Sequence, residues 1–115
     1  MNESNVGLIG LGNVGSKIAK NLLRGNFKLN VHDLDKDKFI SLKRRGAIWC
    51  NSLKTLAKQS SIIITSLPSP KSANKVIKDI MPFLNKKHLW IEMSTTDEND
   101  MKELSKLCFK KKLKL

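Results

Sequence analysis

The chain has 115 residues, and its 22 lysines and arginines outnumber its 10 acids to give a formal net charge of +12. This length suits one compact domain with a modest core and excludes two. Because no apolar run approaches about 18 residues and the first residues are not a signal peptide, we expect a soluble, cytoplasmic protein without a membrane partner.

The positive charge is spread over the predicted helices, with a cluster of lysines at the carboxyl end. Aromatic residues are few and do not alternate with the basic ones, so a nucleic-acid site is only a minor alternative to a solvated surface. Cys50 and Cys108 lie far apart in the sequence, and no histidine cluster accompanies them. We therefore expect buried or half-buried thiols, and neither a disulfide nor a metal site.

The stretch from Val6 to Leu23 contains the most informative pattern. The apolar residues Val6–Ile9 lead into Gly10-x-Gly12-x-x-Gly15, after which apolar residues recur at helical spacing. A strand, a glycine turn and a helix in this order are the context that a dinucleotide fingerprint requires. The glycines permit the tight turn, the approach of a pyrophosphate and close packing of the helix, whose amino terminus faces the phosphates. A structural turn that binds nothing is the alternative.

An acid follows the second predicted strand, Lys28–His32. Asp33 stands there, 23 positions after Gly10, and an acid at about that distance accepts hydrogen bonds from the adenosine ribose hydroxyls. Its carboxylate repels the 2′-phosphate of NADP, so the sequence favours NAD as the cofactor. Lys36 and Lys38 soften that preference, which keeps NADP as the second choice.

The first two helices have recognisable ends. Gly25 ends the first helix as a left-handed cap would. Asp33 or Asp35 caps a short amphipathic helix that closes at Gly46.

Three more strands are predicted over Ala47–Cys50, Ser61–Leu67 and His88–Met93. Between them lie two helices, one capped by Asn51 or Ser52 and one by Ser69 with Pro70 at its first position. A last helix carries Met101, Leu104, Leu107 and Cys108, and residues 112–115 alternate as a strand does.

This alternation predicts an α/β fold of the Rossmann type, a doubly wound parallel sheet with helices on both faces that is truncated in its sixth strand. The expected strand order is 3-2-1-4-5-6, and ligands bind where that order reverses. The glycine turn, Asp33, Leu67-Pro68 and residues 94–96 all follow the carboxyl ends of strands. We expect these four loops to meet at one crevice.

The motifs resemble those of a known family, the β-hydroxyacid dehydrogenases, which include 3-hydroxyisobutyrate, tartronate semialdehyde and 6-phosphogluconate dehydrogenases. Gly7 to Gly15 with Ala19-Lys20-Asn21-Leu22 is similar to the opening of these enzymes, and His32-Asp33, Leu67-Pro68 and Ser94-Thr95 agree at later strand ends. The resemblance covers essentially the whole chain. It implies that residues 1–115 form a domain that binds a nicotinamide dinucleotide for oxidation of a 3-hydroxy acid.

The resemblance also implies roles by position. Asp33 would bind the adenosine ribose, Leu67 and Pro68 would lead to the nicotinamide, and Thr95 would lie at the nicotinamide end. A plain strand exit at Leu67-Pro68 and a helix cap at Thr95 are the alternatives. The pyrophosphate would be held by the turn residues Gly10, Leu11, Gly12, Asn13, Val14 and Gly15.

One departure from the family limits the expected activity. Full-length members continue into an Asp-x-Pro-x-Ser-Gly substrate motif and an all-helical domain with the catalytic lysine, and no lysine of this chain matches it. We expect His32 and His88 to be ordinary surface residues, so no catalytic residue is assigned. The chain is therefore expected to bind cofactor without being catalytically competent alone, and to act on a 3-hydroxy acid only with the missing domain.

Two further expectations follow from this departure. A stand-alone dinucleotide-sensing module, which needs no catalytic lysine, is the alternative from another functional class. The half-finished sheet also exposes an edge and the surface meant for the helical domain, which predicts self-association.

Overall fold

Five parallel strands make up the sheet of the computed structural model, which describes residues 5–93 of the chain. The strand order is β3-β2-β1-β4-β5, so β1 lies at the centre and the order reverses between β1 and β4. In chain order the strands are β1 (Asn5–Ile9), β2 (Lys28–His32), β3 (Ile48–Trp49), β4 (Ile62–Thr65) and β5 (Leu89–Glu92). The expected order is confirmed for these five strands, and the predicted last helix and sixth strand lie outside the described residues.

The register fixes which strand ends meet. Val6 of β1 lies opposite Leu29 of β2 on one side and Ile62 of β4 on the other. Because all pairings are parallel, the three strands finish together at Ile9, His32 and Thr65. The loops that follow these residues therefore start from the same edge of the sheet.

Helices cover both faces of the sheet. In chain order they are α1 (Asn13–Arg24), α2 (Ile40–Lys43), α3 (Leu53–Gln59) and α4 (Pro70–Ile80), with 3₁₀ turns at Lys36–Phe39 and Met81–Phe83. Val6 and Leu8 of β1 pack on the face that holds α1 and α2, whereas Ile9 packs with α3 and α4. Two separate apolar cores result, which confirms the doubly wound α/β fold.

The segment after β2 is shorter than an ordinary helix. Asp35 is its cap, because its Oδ1 accepts the amide N–H of Asp37 at 3.0 Å. The chain then makes a 3₁₀ turn and only one turn of α2 before Gly46, whose φ of +99° closes the segment. Asp33, the other candidate cap, instead accepts the amide N–H groups of Leu11 and Asp35.

Two expectations about single residues are wrong. The left-handed residue after α1 is Asn26, with φ of +65°, and Gly25 has a φ of −83°. A Cβ on Gly25 would lie 3.3 Å from the ring of Phe27, a tight contact that a small shift of this exposed ring would relieve. His88 is buried instead of exposed: its Nε2 lies 2.8 Å from the carbonyl oxygen of Ala57, and its Nδ1 accepts the amide N–H of Asn85. The ring thus joins the turn before β5 to α3.

Among residues 5–93, no helix is long and apolar enough to cross a membrane.

The close contact between β1 and α3 generates a stability prediction. A Cβ on Gly7 would lie 2.6 Å from both Leu56 Cδ2 and Ser60 Oγ. Overpacking of this kind costs about 1–3 kcal/mol, so we expect Gly7→Ala to lower the free energy of unfolding by that amount in urea titrations.

Gly12→Ala is the matched control, because no heavy atom of the described residues lies within 4 Å of its Cβ position and its φ of −69° suits any residue. Its unfolding free energy should stay within about 1 kcal/mol of the parent, since Gly12 is the N-cap residue of α1, where Gly is preferred to Ala, and should fall less than that of Gly7→Ala. Equal stability of the two variants would contradict this account of the β1–α3 contact.

Candidate cofactor-binding site

The turn between β1 and α1 has a shape that requires glycine at two positions. Gly10 has a φ of +103°, and a Cβ there would lie 2.1 Å from the carbonyl oxygen of Ser66. A Cβ on Gly15 would lie 2.0 Å from the carbonyl oxygen of Gly10. The turn therefore passes directly against the end of β4, and α1 packs directly against the turn.

Gly12 differs from these two glycines because the fold does not require it. Its φ is in the ordinary range, and a Cβ would meet no heavy atom of residues 5–93 within 4 Å. The space that a side chain would fill is open to a ligand that approaches the backbone. This open space is where the sequence motif predicts a pyrophosphate.

The amino end of α1 is free to bind an anion. Ser52 caps α3 and Ser69 caps α4 by accepting an amide N–H, but none of the described side chains caps α1. The first turn of α1 contains no acid. Its amide groups and the positive end of the helix dipole are therefore left for a phosphate.

Asp33 is joined to the glycine turn. Its Oδ2 accepts the amide N–H of Leu11 at 2.7 Å, and its Oδ1 accepts the amide N–H of Asp35 at 2.8 Å. These two bonds fix the carboxylate between the end of β2 and the turn. Each oxygen keeps a further acceptor site, so the fixed carboxylate can still accept two ribose hydroxyls.

A crevice of about 970 Å³ opens at this edge of the sheet. Of the residues expected to bind cofactor, those that line it are Gly10, Gly12, Asn13, Val14, Gly15, Asp33, Leu67 and Pro68. Leu11 does not line it: its side chain is buried, and what it offers the site is its amide. Thr95 lies outside the described residues.

Some lining residues were missed by sequence reasoning. Leu34, between two acids, is 93% exposed and lines the crevice, as do Lys71 and Lys75 of α4. The two lysines are four positions apart, and this spacing after Pro70 was the signal that places them on one helix face. The crevice thus offers apolar surface for rings and cations for phosphates.

Residues 5–115 match the protein family described as the NAD binding domain of 6-phosphogluconate dehydrogenase. The chain belongs to this family. It is therefore an NAD-binding domain, and the resemblance drawn from the motifs is confirmed.

The curated relatives are longer than this NAD-binding domain. Mitochondrial 3-hydroxyisobutyrate dehydrogenase of Mus musculus is 36% identical over 104 residues, which are 88% of this chain and 31% of that protein. The enzyme of the same name from Drosophila melanogaster is 33% identical over 103 residues, 89% of this chain and 32% of that protein. The chain thus spans about a third of the length of these relatives.

Solved structures confirm the Rossmann-type fold. An imine reductase from Myxococcus stipitatus in complex with NADP+ has a TM-score of 0.89 at 18% identity, over 96% of this chain and 38% of that one. Its V8 variant in complex with NAD+ has a TM-score of 0.90 at 17% identity, over 99% of this chain and 39% of that one.

Two side chains of the NAD-binding domain at the end of β2 and after β3 have structural partners. His32 is half-buried instead of plainly exposed: its Nδ1 lies 2.9 Å from the carbonyl oxygen of Cys50, and its ring packs on Trp49 with centroids 5.6 Å apart. The Cys50 side chain is 2% exposed, as expected of a buried thiol, and burial raises its pKa above the ordinary 9.0. Cys108 lies outside the described residues.

The burial of Cys50 predicts that its thiol is alkylated slowly and at a rate that depends on pH. Because the fold favours the neutral form, the thiolate appears only as the pH rises through a pKa above 9.0. In a Cys108→Ser background, we expect iodoacetamide to alkylate the folded chain with a midpoint above that pH.

Urea provides the control, since unfolding removes the burial and should return the alkylation midpoint to about 8.5. Rapid alkylation of the folded chain at neutral pH would show that Cys50 is accessible and would contradict its placement.

Proposed function

We propose that this chain is the cofactor-binding part of an oxidoreductase that acts on a 3-hydroxy acid, similar to 3-hydroxyisobutyrate dehydrogenase. The observation that carries the proposal is the 2.7 Å bond from the Leu11 amide to Asp33, which joins the ribose acid to the open pyrophosphate turn. The names of the curated relatives support the substrate class. Domain 1–115 in this proposal binds and orients the dinucleotide.

In this proposal, different residues of the crevice bind different parts of the dinucleotide. Asp33 accepts the adenosine ribose hydroxyls, and the amide groups at the start of α1 bind the pyrophosphate beside Gly12. Leu67 and Pro68 line the path to the nicotinamide. Thr95, which lies outside the described residues, is assigned to the nicotinamide end on the family resemblance alone. NAD, when bound, supplies the hydride acceptor, and Asp33 favours it over NADP by repelling a 2′-phosphate.

Proton transfer is assigned to groups outside the described residues. Oxidation of a hydroxyl requires an acid or base within hydrogen-bond reach of it. Of the two histidines in residues 5–93, His88 contacts backbone groups through both ring nitrogens, at Ala57 and Asn85. His32 contacts the Cys50 carbonyl through Nδ1 and lines the crevice next to Asp33, at the end that we assign to adenosine and not at the end that we assign to nicotinamide. The two thirds of the relatives that this chain does not span are where we place substrate recognition and the acid or base, so the chain alone should bind without turnover.

Three further expectations stay predictions. The positive charge is assigned to solvated surface and not to nucleic acid. Self-association is assigned to the outer face of β5, where Leu89, Ile91 and Met93 are exposed. A cytoplasmic location is kept, although the relatives named above are mitochondrial.

The first test is titration calorimetry of the chain with NAD. Removing the charge with Asp33→Asn takes away hydrogen bonds to a charged acceptor, which are worth roughly 1.5–3 kcal/mol. We therefore expect NAD affinity to fall by about 10- to 100-fold.

Asp79→Asn is the matched control, because it removes the same charge from the same crevice. Asp79 lies about 14 Å along α4 from Pro70, at 1.5 Å per residue, and is remote from the turn. The NAD affinity of the Asp79→Asn variant should stay within about twofold of that of the parent chain. Equal effects of the two variants, or no NAD binding by a folded parent chain, would refute the proposal.

Gly12→Ala tests the pyrophosphate position separately. Since its Cβ projects into open space, the variant should keep its unfolding free energy and lose about tenfold in NAD affinity, measured by the same calorimetry. Unchanged NAD affinity would place the phosphates elsewhere.

A further inference from the structure

The imidazole of His32 has one ring nitrogen that the fold uses and one that it leaves to a ligand. Nδ1 lies 2.9 Å from the carbonyl oxygen of Cys50. Because a carbonyl oxygen only accepts, Nδ1 carries the hydrogen, and the neutral ring presents Nε2 as an acceptor. Within residues 5–93, Nε2 takes part in no hydrogen bond, and the ring lines the cofactor crevice.

Neighbouring side chains restrict the orientation of the His32 ring. It packs on the ring of Trp49, with the two planes 31° apart. Trp49 is held in turn, because its Nε1 donates to Asn51 Oδ1 at 2.7 Å and the Lys36 ammonium lies 5.7 Å from its ring centroid. Together with the Nδ1 bond, this packing sets the direction of Nε2 before a ligand binds.

The base of a bound dinucleotide would lie beside this ring. His32 and Asp33 are consecutive, and both line the crevice. In the function proposed above, Asp33 binds the ribose hydroxyls, and the base is attached to that same ribose at the carbon next to the 2′-position. Leu34, Leu53 and Val76 line the crevice too and offer apolar surface to the faces of a planar base. His32 offers an acceptor to its edge.

The exposed acids of the crevice are weaker candidates for contact with the base. Asp35 is exposed, and its Oδ1 already accepts the amide N–H of Asp37. Asp79 is exposed too and lies on α4, about 14 Å from Pro70 at 1.5 Å per residue. An exposed carboxylate is solvated without a ligand, so exchanging water for a ligand donor gains little. A half-buried ring that is already oriented gains more.

We propose that Nε2 of His32 accepts a hydrogen bond from the 6-amino group of adenine, which makes His32 a specificity-determining residue for the base of the dinucleotide. Adenine carries a donor at position 6, whereas hypoxanthine carries an oxygen that only accepts. Two acceptors that face each other are left unpaired, so the hypoxanthine analogue is rejected. The inference rests on the dinucleotide site proposed above. It adds a selectivity that Asp33 and the glycine turn do not supply, since they bind groups that both dinucleotides share.

The experiment compares NAD with nicotinamide hypoxanthine dinucleotide, which differs from NAD in the base. Titration calorimetry of the parent chain is done in mildly alkaline buffer, where imidazole is neutral. We expect NAD to bind about tenfold more tightly than the hypoxanthine analogue.

Two variants separate the acceptor of His32 from its packing. His32→Asn keeps an amide donor near Nδ1 for the Cys50 carbonyl but has no group at the Nε2 position, so its affinities for the two dinucleotides should agree within about twofold. His32→Gln reaches the Nε2 position with an amide oxygen and should keep a preference for NAD. Circular dichroism checks that both variants fold. Equal loss of the preference in both would trace it to the lost packing on Trp49 and contradict the role of Nε2.

Asp35→Ser is the control for the nearest exposed acid, because serine keeps a cap for the 3₁₀ turn but is too short to replace the carboxylate at the base. It should leave the ratio of the two affinities unchanged. Loss of the preference in this variant, with the preference kept in His32→Asn, would assign the contact to Asp35 and overturn the inference.

The parent chain separates this inference from the proposed function. Equal binding of the two dinucleotides overturns the inference alone, whereas binding of neither by a folded chain overturns the proposed function.

Discussion

The hydrogen bond from the Leu11 amide to Asp33 is the constraint on which the site depends. It joins the loop after β1 to the loop after β2, and parallel pairing brings Ile9 and His32 side by side so that the bond can form. The carboxylate that we propose binds the ribose is therefore also the acceptor that holds the glycine turn in place. A substitution of Asp33 would therefore affect ribose binding and the glycine turn together. The Gly12→Ala variant is needed to test the pyrophosphate position separately.

The opposite side of the turn is fixed by steric contact. A Cβ on Gly10 would clash with the carbonyl oxygen of Ser66, because the backbone just after β1 is in contact with the backbone just after β4. The two loops diverge from this contact. The loops of β1 and β2 then lead to one face of the sheet, and the loop of β4 leads to the other through α4. The crevice opens between them because the strand order reverses here.

Sequence patterns predicted what depends on local rules. The strand order, the glycine turn and the serine caps of α3 and α4 follow from periodicity, backbone freedom and side-chain acceptors. The burial of His88 was not predictable, because it depends on the Ala57 carbonyl of a distant helix. Asn30 is similar: it reads as a polar strand residue, yet it is buried and its amide donates to the carbonyl of Gln59 and the hydroxyl of Ser60.

The same limit applies to the choice of cofactor. From the sequence, the carboxylate of Asp33 favours NAD, and Lys36 and Lys38 soften that preference. In the fold, two backbone amides donate to that carboxylate, and Lys38 lines the same crevice, so the electrostatic potential beside Asp33 depends on more than its own charge. A single acid after β2 is therefore a better predictor of ribose binding than of the choice between NAD and NADP.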